Sequence, residues 1–235
     1  MEVLPVRIPT LTPPQQDLAP VLAASLPPLT DRDIVCISSK VIAIDEGRCI
    51  PTSTADKAAL IEAEADLVIP VEYKTRPLTV KHHTFLGNAG IDESNGKGHH
   101  VLSPVDPFAS AARWYAWLRA CYQLTELGVV VTDSRSQPFR LGASGVALGW
   151  WGIEPIQSHI GELDLFGTEL RYERSNVVDG LAAGANLVMG ETNAGVPVVV
   201  ARGVPECTFT DTNTREHLFV SPEHDHFREL YERYL

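Results

Sequence analysis

The sequence has few cysteines and no long apolar run. Its 235 residues include four cysteines, which lie far apart and form no CxxC pair, so we expect neither a disulfide framework nor a zinc knuckle. No apolar stretch approaches the ~20 residues that a membrane-spanning helix needs. The first residues lack a basic segment followed by an apolar one, so no secretory signal is expected. The sequence predicts a cytoplasmic protein with reduced thiols and no membrane partner.

Positive charge is also scarce. Lys and Arg number 19 against 30 Asp and Glu, which gives a formal net charge of −11. A nucleic-acid-binding protein needs a basic surface that displaces counterions from phosphates, and this balance argues against that class. It leaves nucleotide enzymes open, because metal ions can bring phosphates into a site lined by carboxylates.

The order of the predicted elements favours an α+β fold. Helical patterns cover residues 15–26, 55–65 and 177–189, and a charged helix follows Asp225. Apolar strands are predicted at residues 33–38, 67–71, 77–86, 128–133 and 197–201. Because strands and helices do not alternate regularly as in βαβ units, we expect mixed and antiparallel sheets with packed helices. The length fits one unit over residues 1–235, or two intimate subdomains that meet near residues 85–105.

The longest predicted helix begins at Asp106-Pro107. Asp106 suits the N-cap position, and Pro107 suits the first helical position. An apolar face follows at spacing i, i+3, i+4 and i+7, made by Trp114, Trp117, Leu118 and Cys121. We predict that this face, Cys121 included, packs on the core and that Gly128 stops the helix.

Three short polar clusters stand at the ends of apolar segments, where a scaffold can hold a site rigidly. They are GNAGIDESN at 87–95, VVTDSRSQPFRLG at 130–142 and LVMGETNAG at 187–195. Magnesium and manganese prefer hard oxygen ligands and take few protein carboxylates plus substrate phosphates. The carboxylates and the serine in these clusters suit that preference, but the same residue types favour turns and helix caps. On the residues alone, both interpretations stay open.

Sequence motifs for other kinds of active site are absent or incomplete. The sequence has no GxxxxGK[ST] phosphate loop and no GxGxxG after a strand, and Val146 stands where a GxSxG nucleophile elbow needs glycine. The paired histidines 82–83 and 99–100 would point to opposite faces of a strand, so we expect exposed loop histidines without a shared metal. Arg135 and Arg140 are candidate catalytic residues, because arginine can neutralise charge on a transferred phosphoryl group.

Five blocks along the chain together resemble one known family. They are DIVCISSKVIAIDEGR from Asp33, GNAGIDESN from Gly87, VVTDSRSQPFRLGASGVALG from Val130, DLFGTEL from Asp164 and ANLVMGETNAGVPVVVARG from Ala185. In this order they resemble the coenzyme F-420 gamma-glutamyl ligase family, which acts on a deazaflavin redox cofactor. The resemblance runs from about Ile8 to Gly203, nearly the whole chain.

The resemblance implies a GTP-dependent amide ligase that works as a homodimer. Two divalent cations, Mg²⁺ or Mn²⁺, would assist, with K⁺ as a monovalent helper. The terminal carboxylate of the deazaflavin acceptor would attack the γ-phosphate to give an acyl phosphate, and the amine of L-glutamate would then displace phosphate. Such an enzyme works by positioning and by stabilising charge.

The resemblance also assigns site residues by position. Asp92 and Asp133 would hold one metal ion, and Ser134 and Glu191 would belong to the second. Nucleotide contacts would come from Ile8, Pro9, Thr10, Leu11, Ser38, Ser39, Asn95, Met189, Gly190, Glu191, Thr192, Asn193, Ala194, Gly195 and Val196. Lys40 is a further candidate for a nucleotide contact, suggested by its position and not by the resemblance.

One position departs from the family pattern. Family members commonly carry a lysine two residues before the EGR triplet, where this chain has Ile44. An aliphatic side chain cannot bind a phosphate, although Lys40, an even number of positions away, would share a face with residue 44 in a strand. Three alternatives therefore stand beside the ligase: a homologue that binds a nucleotide or flavin-like ligand without ligation, a ligase with another carboxylate acceptor, and a metal-dependent phosphohydrolase.

Overall fold

The computed structural model describes residues 1–71 and 77–235, and it has the α+β architecture that the sequence predicts. The elements in chain order are β1 (Glu2–Val6), α1 (Ala19–Ser25), β2 (Asp33–Ser38), α2 (Ser39–Asp45), β3 (Cys49–Pro51), α3 (Lys57–Glu64), β4 (Leu67–Ile69), β5 (Leu78–Lys81), β6 (Thr84–Gly87), β7 (His99–Val101), α4 (Pro107–Tyr122), β8 (Leu127–Ser136), β9 (Ala143–Trp151), β10 (Ile156–Ser158), β11 (Arg174–Asn176), α5 (Val177–Met189), β12 (Val198–Arg202) and α6 (Arg228–Tyr231).

A five-stranded sheet forms the centre of the fold, in the order β1-β12-β2-β8-β9. β2 and β8 run parallel, with Asp33 opposite Leu127 and Ser38 opposite Thr132. The other neighbours in this sheet are antiparallel. Smaller sheets pair β3 with β7, β10 with β11, and β4, β5 and β6 in that order. The sheets are therefore mixed and antiparallel, as expected.

The central strands are buried on both faces, which explains their continuous apolar sequences. Successive side chains of a strand point to opposite faces. Val35 and Ile37 of β2 accordingly join a core that includes residues of α1, α2 and α4, whereas Ile34 and Cys36 join a second core that includes the buried face of α5. Helices therefore cover both faces of the central strands.

Helix α4 begins where its capping residues predict. The Asp106 carboxylate accepts hydrogen bonds from the backbone N–H groups of Phe108 and Ala109. The helix ends at Tyr122, before Gln123, whose φ is 55°. The prediction that Gly128 stops the helix is wrong, because Gly128 lies inside β8, where a Cβ atom would meet Ile34 and Ile153 at 2.9 Å. The buried placement of Cys121 is also wrong, since its side chain is exposed.

Several boundaries differ from the predicted ones. The strand expected over residues 77–86 is a hairpin of β5 and β6, and its turn is made by His82 and His83 with φ values of 52° and 58°. His83 is exposed as expected, but His100 is only 4% exposed. The predicted C-terminal helix shortens to the four residues of α6. Within residues 1–71 and 77–235, no helix is long and apolar enough to cross a membrane.

Candidate functional site

A cleft of about 330 Å³ lies where β2 and β8 carry their polar ends. Its walls come from the segment after β1, the junction of β2 and α2, the loop before β7, the end of β8 and the segment after α5. Every residue that the resemblance assigns to the nucleotide lines this cleft, and so do all four assigned metal ligands: Asp92, Asp133, Ser134 and Glu191. Segments far apart in sequence therefore converge on one surface.

Helix α2 presents two side chains to the cleft. Lys40 and Ile44 both line it, and they lie four positions apart in a helix that begins at Ser39. Residues at i and i+4 lie on the same helical face. The expectation that these two residues share a face therefore holds, but its reason is corrected, because the segment is a helix and not a strand. Lysine and isoleucine stand one helical turn apart on the cleft wall.

Asp133 lies on β8 just beyond an irregularity in the β8–β9 pairing at Val131 and Thr132. Its Oδ1 accepts a hydrogen bond of 2.7 Å from the Ser134 backbone N–H, and its Oδ2 accepts one of 3.0 Å from the Ser39 hydroxyl. Burial nevertheless raises the pKa of the Asp133 carboxyl to about 6. A desolvated carboxylate of this kind gains stability from a bound cation.

The pKa of Asp92 is shifted in the opposite direction from that of Asp133. Its Oδ2 accepts hydrogen bonds from Lys40 Nζ at 2.5 Å and Ser94 Oγ at 2.6 Å, and its Oδ1 accepts one from the Ser94 N–H at 2.8 Å. Burial alone would raise the pKa of Asp92, but the hydrogen bonds from Lys40 and Ser94 lower it to about 2. Asp92 is therefore ionised and already neutralised by a cationic side chain.

Glu191 connects the second and third polar clusters. Its Oε2 accepts a hydrogen bond of 3.3 Å from Ser134 Oγ, and its Oε1 accepts one of 2.8 Å from Asn186 Nδ2. Gly190, with φ of 73°, caps the end of α5 and turns the chain toward Glu191. Positive φ favours glycine at this position. The two side chains that the resemblance assigns to the second metal are thus in contact.

Two hydrogen bonds to backbone carbonyls connect segments that line the cleft. The Ile8 N–H donates to the Gly195 carbonyl at 3.3 Å, and Asn95 Nδ2 donates to the Thr192 carbonyl at 3.4 Å. The segment after α5 is consequently tied to the chain after β1 and to the loop before β7. These hydrogen bonds hold the predicted nucleotide segments next to one another.

The two candidate catalytic arginines do not line the cleft. Arg135 donates a hydrogen bond of 2.5 Å to Thr84 Oγ1 on β6, and Arg140 is exposed in the loop between β8 and β9. Arg135 follows Asp133 by two positions on the same strand, which places it roughly 6.6 Å further along. Their suggested role at a phosphoryl group remains a sequence prediction that their placement does not support.

Two cleft residues that the sequence prediction missed hold its carboxylates in place. Ser94 binds Asp92, and Asn186 binds Glu191. Both lie inside blocks that carry the family resemblance. Asn186 also stands on the last turn of α5, where a polar side chain next to Gly190 faces the following loop. The position of Asn186 on the last turn of α5 was the sequence feature that could have identified it as a cleft residue.

The oxygen donors suit a divalent cation whose shell is completed by phosphates. Asp133, Ser134 and Glu191 contribute two carboxylates and a hydroxyl to the cleft lining, where Ser134 contacts Glu191 and Asp133 contacts Ser39. Among the described residues, no group of three or more His, Cys, Asp or Glu side chains could hold a metal ion. Magnesium usually takes only one or two carboxylates together with substrate phosphates. The residues present fit that kind of site.

The fold and the cleft define an α+β protein with a cleft at the end of its central sheet that several polar side chains line. The sequence model of a family described as F420-0:Gamma-glutamyl ligase matches residues 5–203. A protein of Halobacterium salinarum named Coenzyme F420:L-glutamate ligase is 38% identical over 238 residues, covering 91% of this chain and 90% of the relative. Proteins of the same name from Methanothermobacter thermautotrophicus and Haloarcula marismortui are 37% and 36% identical, covering 75% and 97% of this chain and 77% and 96% of their own lengths. The chain belongs to the F420-0:gamma-glutamyl ligase family, which confirms the resemblance read from its five blocks.

Proposed function

We propose that this protein is a GTP-dependent ligase that joins L-glutamate to the terminal carboxylate of a deazaflavin cofactor of the F420 type. The relatives named Coenzyme F420:L-glutamate ligase support the reaction and its acceptor. The observation that carries the proposal is the convergence on one cleft of all the residues assigned to nucleotide and metal. A shared surface for both groups is what a nucleotide-driven ligation requires.

The proposed chemistry has two steps. A carboxylate is a poor acyl donor until one of its oxygens becomes part of a phosphate leaving group. The acceptor carboxylate attacks the γ-phosphorus of GTP, so that an acyl phosphate forms and GDP leaves. The amine of glutamate then attacks the acyl carbon, phosphate leaves, and the amine loses a proton as the amide forms. Most of the catalysis comes from orienting these groups and stabilising their charge.

Different cleft residues have different proposed roles in this reaction. Asp92 and Asp133 would hold one divalent cation, and Ser134 and Glu191 would belong to a second; these ions, Mg²⁺ or Mn²⁺, would supply charge stabilisation to the phosphates when bound. The segment from Met189 to Val196 and the segment from Ile8 to Leu11, which are joined by the hydrogen bond from Ile8 to Gly195, would contact the nucleotide. Ser38 and Ser39, where β2 passes into α2, contribute small polar side chains to the same cleft.

A homodimer and a K⁺ helper complete the proposal. Large apolar side chains are almost fully exposed on two loops: Phe139 and Leu141 after β8, and Leu165 and Phe166 after β10. Exposed apolar patches mark interaction surfaces, so a second copy of the chain is the proposed partner for these loops. The K⁺ requirement follows from the family resemblance and is tested by omitting potassium from the assay.

The test is phosphate release from GTP in the presence of Mn²⁺, L-glutamate and the deazaflavin acceptor. The proposal expects release that requires both substrates, together with a product heavier by one glutamyl residue. GTP hydrolysis without either substrate would instead support a phosphohydrolase. Binding without turnover would support a binding protein, an alternative that the aliphatic Ile44 in the cleft wall favours. Replacing GTP with ATP in the same assay tests the base preference.

A further inference from the structure

Arg135 is a half-buried arginine whose hydrogen-bonding capacity is largely unused. Its Nη1 donates a hydrogen bond of 2.5 Å to Thr84 Oγ1. Its Nε is buried and has no hydrogen-bond partner among residues 1–71 and 77–235. A guanidinium carries five N–H donors and a permanent positive charge. The side chain is therefore suited to an anionic ligand.

Other partly exposed arginines of the protein differ from Arg135 in this respect. A guanidinium that is partly removed from water is stabilised by a carboxylate partner, and in the described part of the chain no carboxylate forms a salt bridge with Arg135. Its partner is thus expected to come from outside the chain. The paired arginines, with N–O distances from 2.7 to 2.9 Å, are Arg48 with Glu64, Arg119 with Asp211 and Arg202 with Asp33.

The position of Arg135 places it beside the cleft. Arg135 follows Asp133 by two positions in a regular part of the β8–β9 pairing, so both side chains point to the same face of the sheet. On that face Asp133 contacts Ser39 of α2, and Arg135 contacts Thr84 of β6. The two positions are about 6.6 Å apart along the strand, and an extended glutamate spans about 5 Å from its amine to its side-chain carboxylate.

We propose that Arg135 is a specificity-determining residue that binds the side-chain carboxylate of the incoming L-glutamate, with Thr84 positioning its guanidinium. This inference rests on the proposed ligase function. A carboxylate accepts two parallel N–H bonds from a guanidinium, which gives both affinity and a fixed orientation. The carboxylates of Asp133 and Glu191 in the cleft lining repel an anionic substrate, and a fixed cation beside them offsets that repulsion. The amine of a glutamate held in this way extends toward Asp133, where the acyl phosphate is proposed to form.

The experiment compares L-glutamate with L-glutamine as the amino donor, at saturating GTP, Mn²⁺ and acceptor. L-Glutamine has nearly the same shape but no side-chain charge. The wild-type protein should prefer L-glutamate by about 100-fold in kcat/KM, because a hydrogen-bonded charge pair is lost with L-glutamine. Arg135→Met should raise the KM for L-glutamate by about 10- to 100-fold and remove most of that preference. The KM for GTP should stay within about twofold of the wild type.

Three further variants separate a binding role from a structural one. Arg135→Lys keeps the charge but not the planar fork, so its KM for L-glutamate should lie between those of the wild type and Arg135→Met. Thr84→Val keeps the shape of the side chain and removes the hydroxyl that holds Arg135, so it should raise this KM by less than Arg135→Met does. The matched control is Arg228→Met, which removes an arginine that pairs with Glu232 on the exposed helix α6 and should leave every constant unchanged.

The outcomes distinguish this inference from the ligase proposal. A folded Arg135→Met protein with the wild-type KM and preference for L-glutamate would overturn the inference and leave the ligase proposal standing. An equal rise in KM for both amino donors would also overturn it, because a purely structural role does not depend on the charge of the substrate. If the wild type forms no product from L-glutamate, the ligase proposal fails and the inference fails with it. Circular dichroism checks the fold, and Arg135→Lys decides by the same criteria if Arg135→Met is unfolded.

Discussion

Ser134 Oγ donates a hydrogen bond to Glu191 Oε2 over 3.3 Å, although the two residues are 57 positions apart in the chain. Ser134 belongs to β8, and Glu191 follows the end of α5. The contact joins a strand of the central sheet to the segment after the helix that packs on that sheet. It places a hydroxyl and a carboxylate together on the cleft wall, so both are available to one cation.

Glu191→Gln should weaken Mn²⁺ binding by about 100-fold or more, and Ser134→Ala by about 10-fold. Glutamine keeps the shape that meets Asn186 and Ser134 but removes the negative charge that attracts the metal. Calorimetric titration with Mn²⁺ measures both effects. The control is Glu93→Gln, a carboxylate next to Asp92 that does not line the cleft, and its affinity should stay within about twofold of the wild type. An unchanged Glu191→Gln protein would remove Glu191 from the metal site.

The ion pair between Asp33 and Arg202 should be a main support of the central sheet. Asp33 is fully buried, and its two carboxylate oxygens each accept a hydrogen bond of 2.8 Å from the Arg202 guanidinium. Arg202→Met should lower the free energy of unfolding by about 3 kcal/mol, because it leaves a buried carboxylate without its partner. Denaturant unfolding measures this change.

The control for that prediction is Arg228→Met. Arg228 pairs with Glu232 at 2.9 Å, and both side chains are 47% exposed. An exposed pair of this kind should contribute under about 1 kcal/mol. If the free energy of unfolding falls equally in the two variants, burial of Asp33 does not determine how much the ion pair contributes to stability.

The strands and the cleft were accessible from the sequence for a definite physical reason. Strands such as β2 and β8 are buried on both faces, so their apolar runs are continuous and easily recognised. The polar residues that follow them sit where the strands end, and the adjacent ends of parallel β2 and β8 bring Ser39 and Asp133 together. Strand ends and the family resemblance together therefore predicted much of the cleft lining, although Ser94 and Asn186 were missed.

Side-chain direction was harder to predict than position. The segment after Ser38 is rich in Val and Ile, which favour strands, yet it folds as α2 because its apolar face packs into the core beside β2. The contact between Lys40 and Asp92 spans 52 positions, so local sequence gives no sign of it. The contact of Arg135 could not be predicted for the same reason, because its hydrogen bond to Thr84 on β6 depends on tertiary packing.

Asp133→Asn should abolish Mn²⁺ binding and ligation but leave the protein folded. Burial raises the pKa of Asp133 to about 6, above the ordinary value of 3.8 that applies in the unfolded chain. The ionised carboxylate is therefore unfavourable in the metal-free fold at pH 7 and above. Removing it should raise the free energy of unfolding of the metal-free protein by about 1–2 kcal/mol. Thermal unfolding with a chelator present measures this change.

The control is a variant that should change the stability of the fold in the opposite direction. Hydrogen bonds from the backbone N–H groups of Glu126 and Thr125 lower the pKa of Asp31, so its charge favours the folded state. Asp31→Asn should therefore lower the melting temperature or leave it unchanged, while metal binding and turnover persist. An active Asp133→Asn protein would mean that the metal lies elsewhere.

The affinity for Mn²⁺ should depend on pH through Asp133. A metal ion binds the deprotonated carboxylate, so protons compete with it once the pH falls below the pKa of about 6. The affinity should be flat above pH 7 and should fall by about tenfold per pH unit below 6. Asp92 cannot produce this change, because its pKa is lowered to about 2. Titrations between pH 5 and 8 should show the inflection in the wild type, and an affinity that stays constant down to pH 5 would contradict the assignment of Asp133 as a metal ligand.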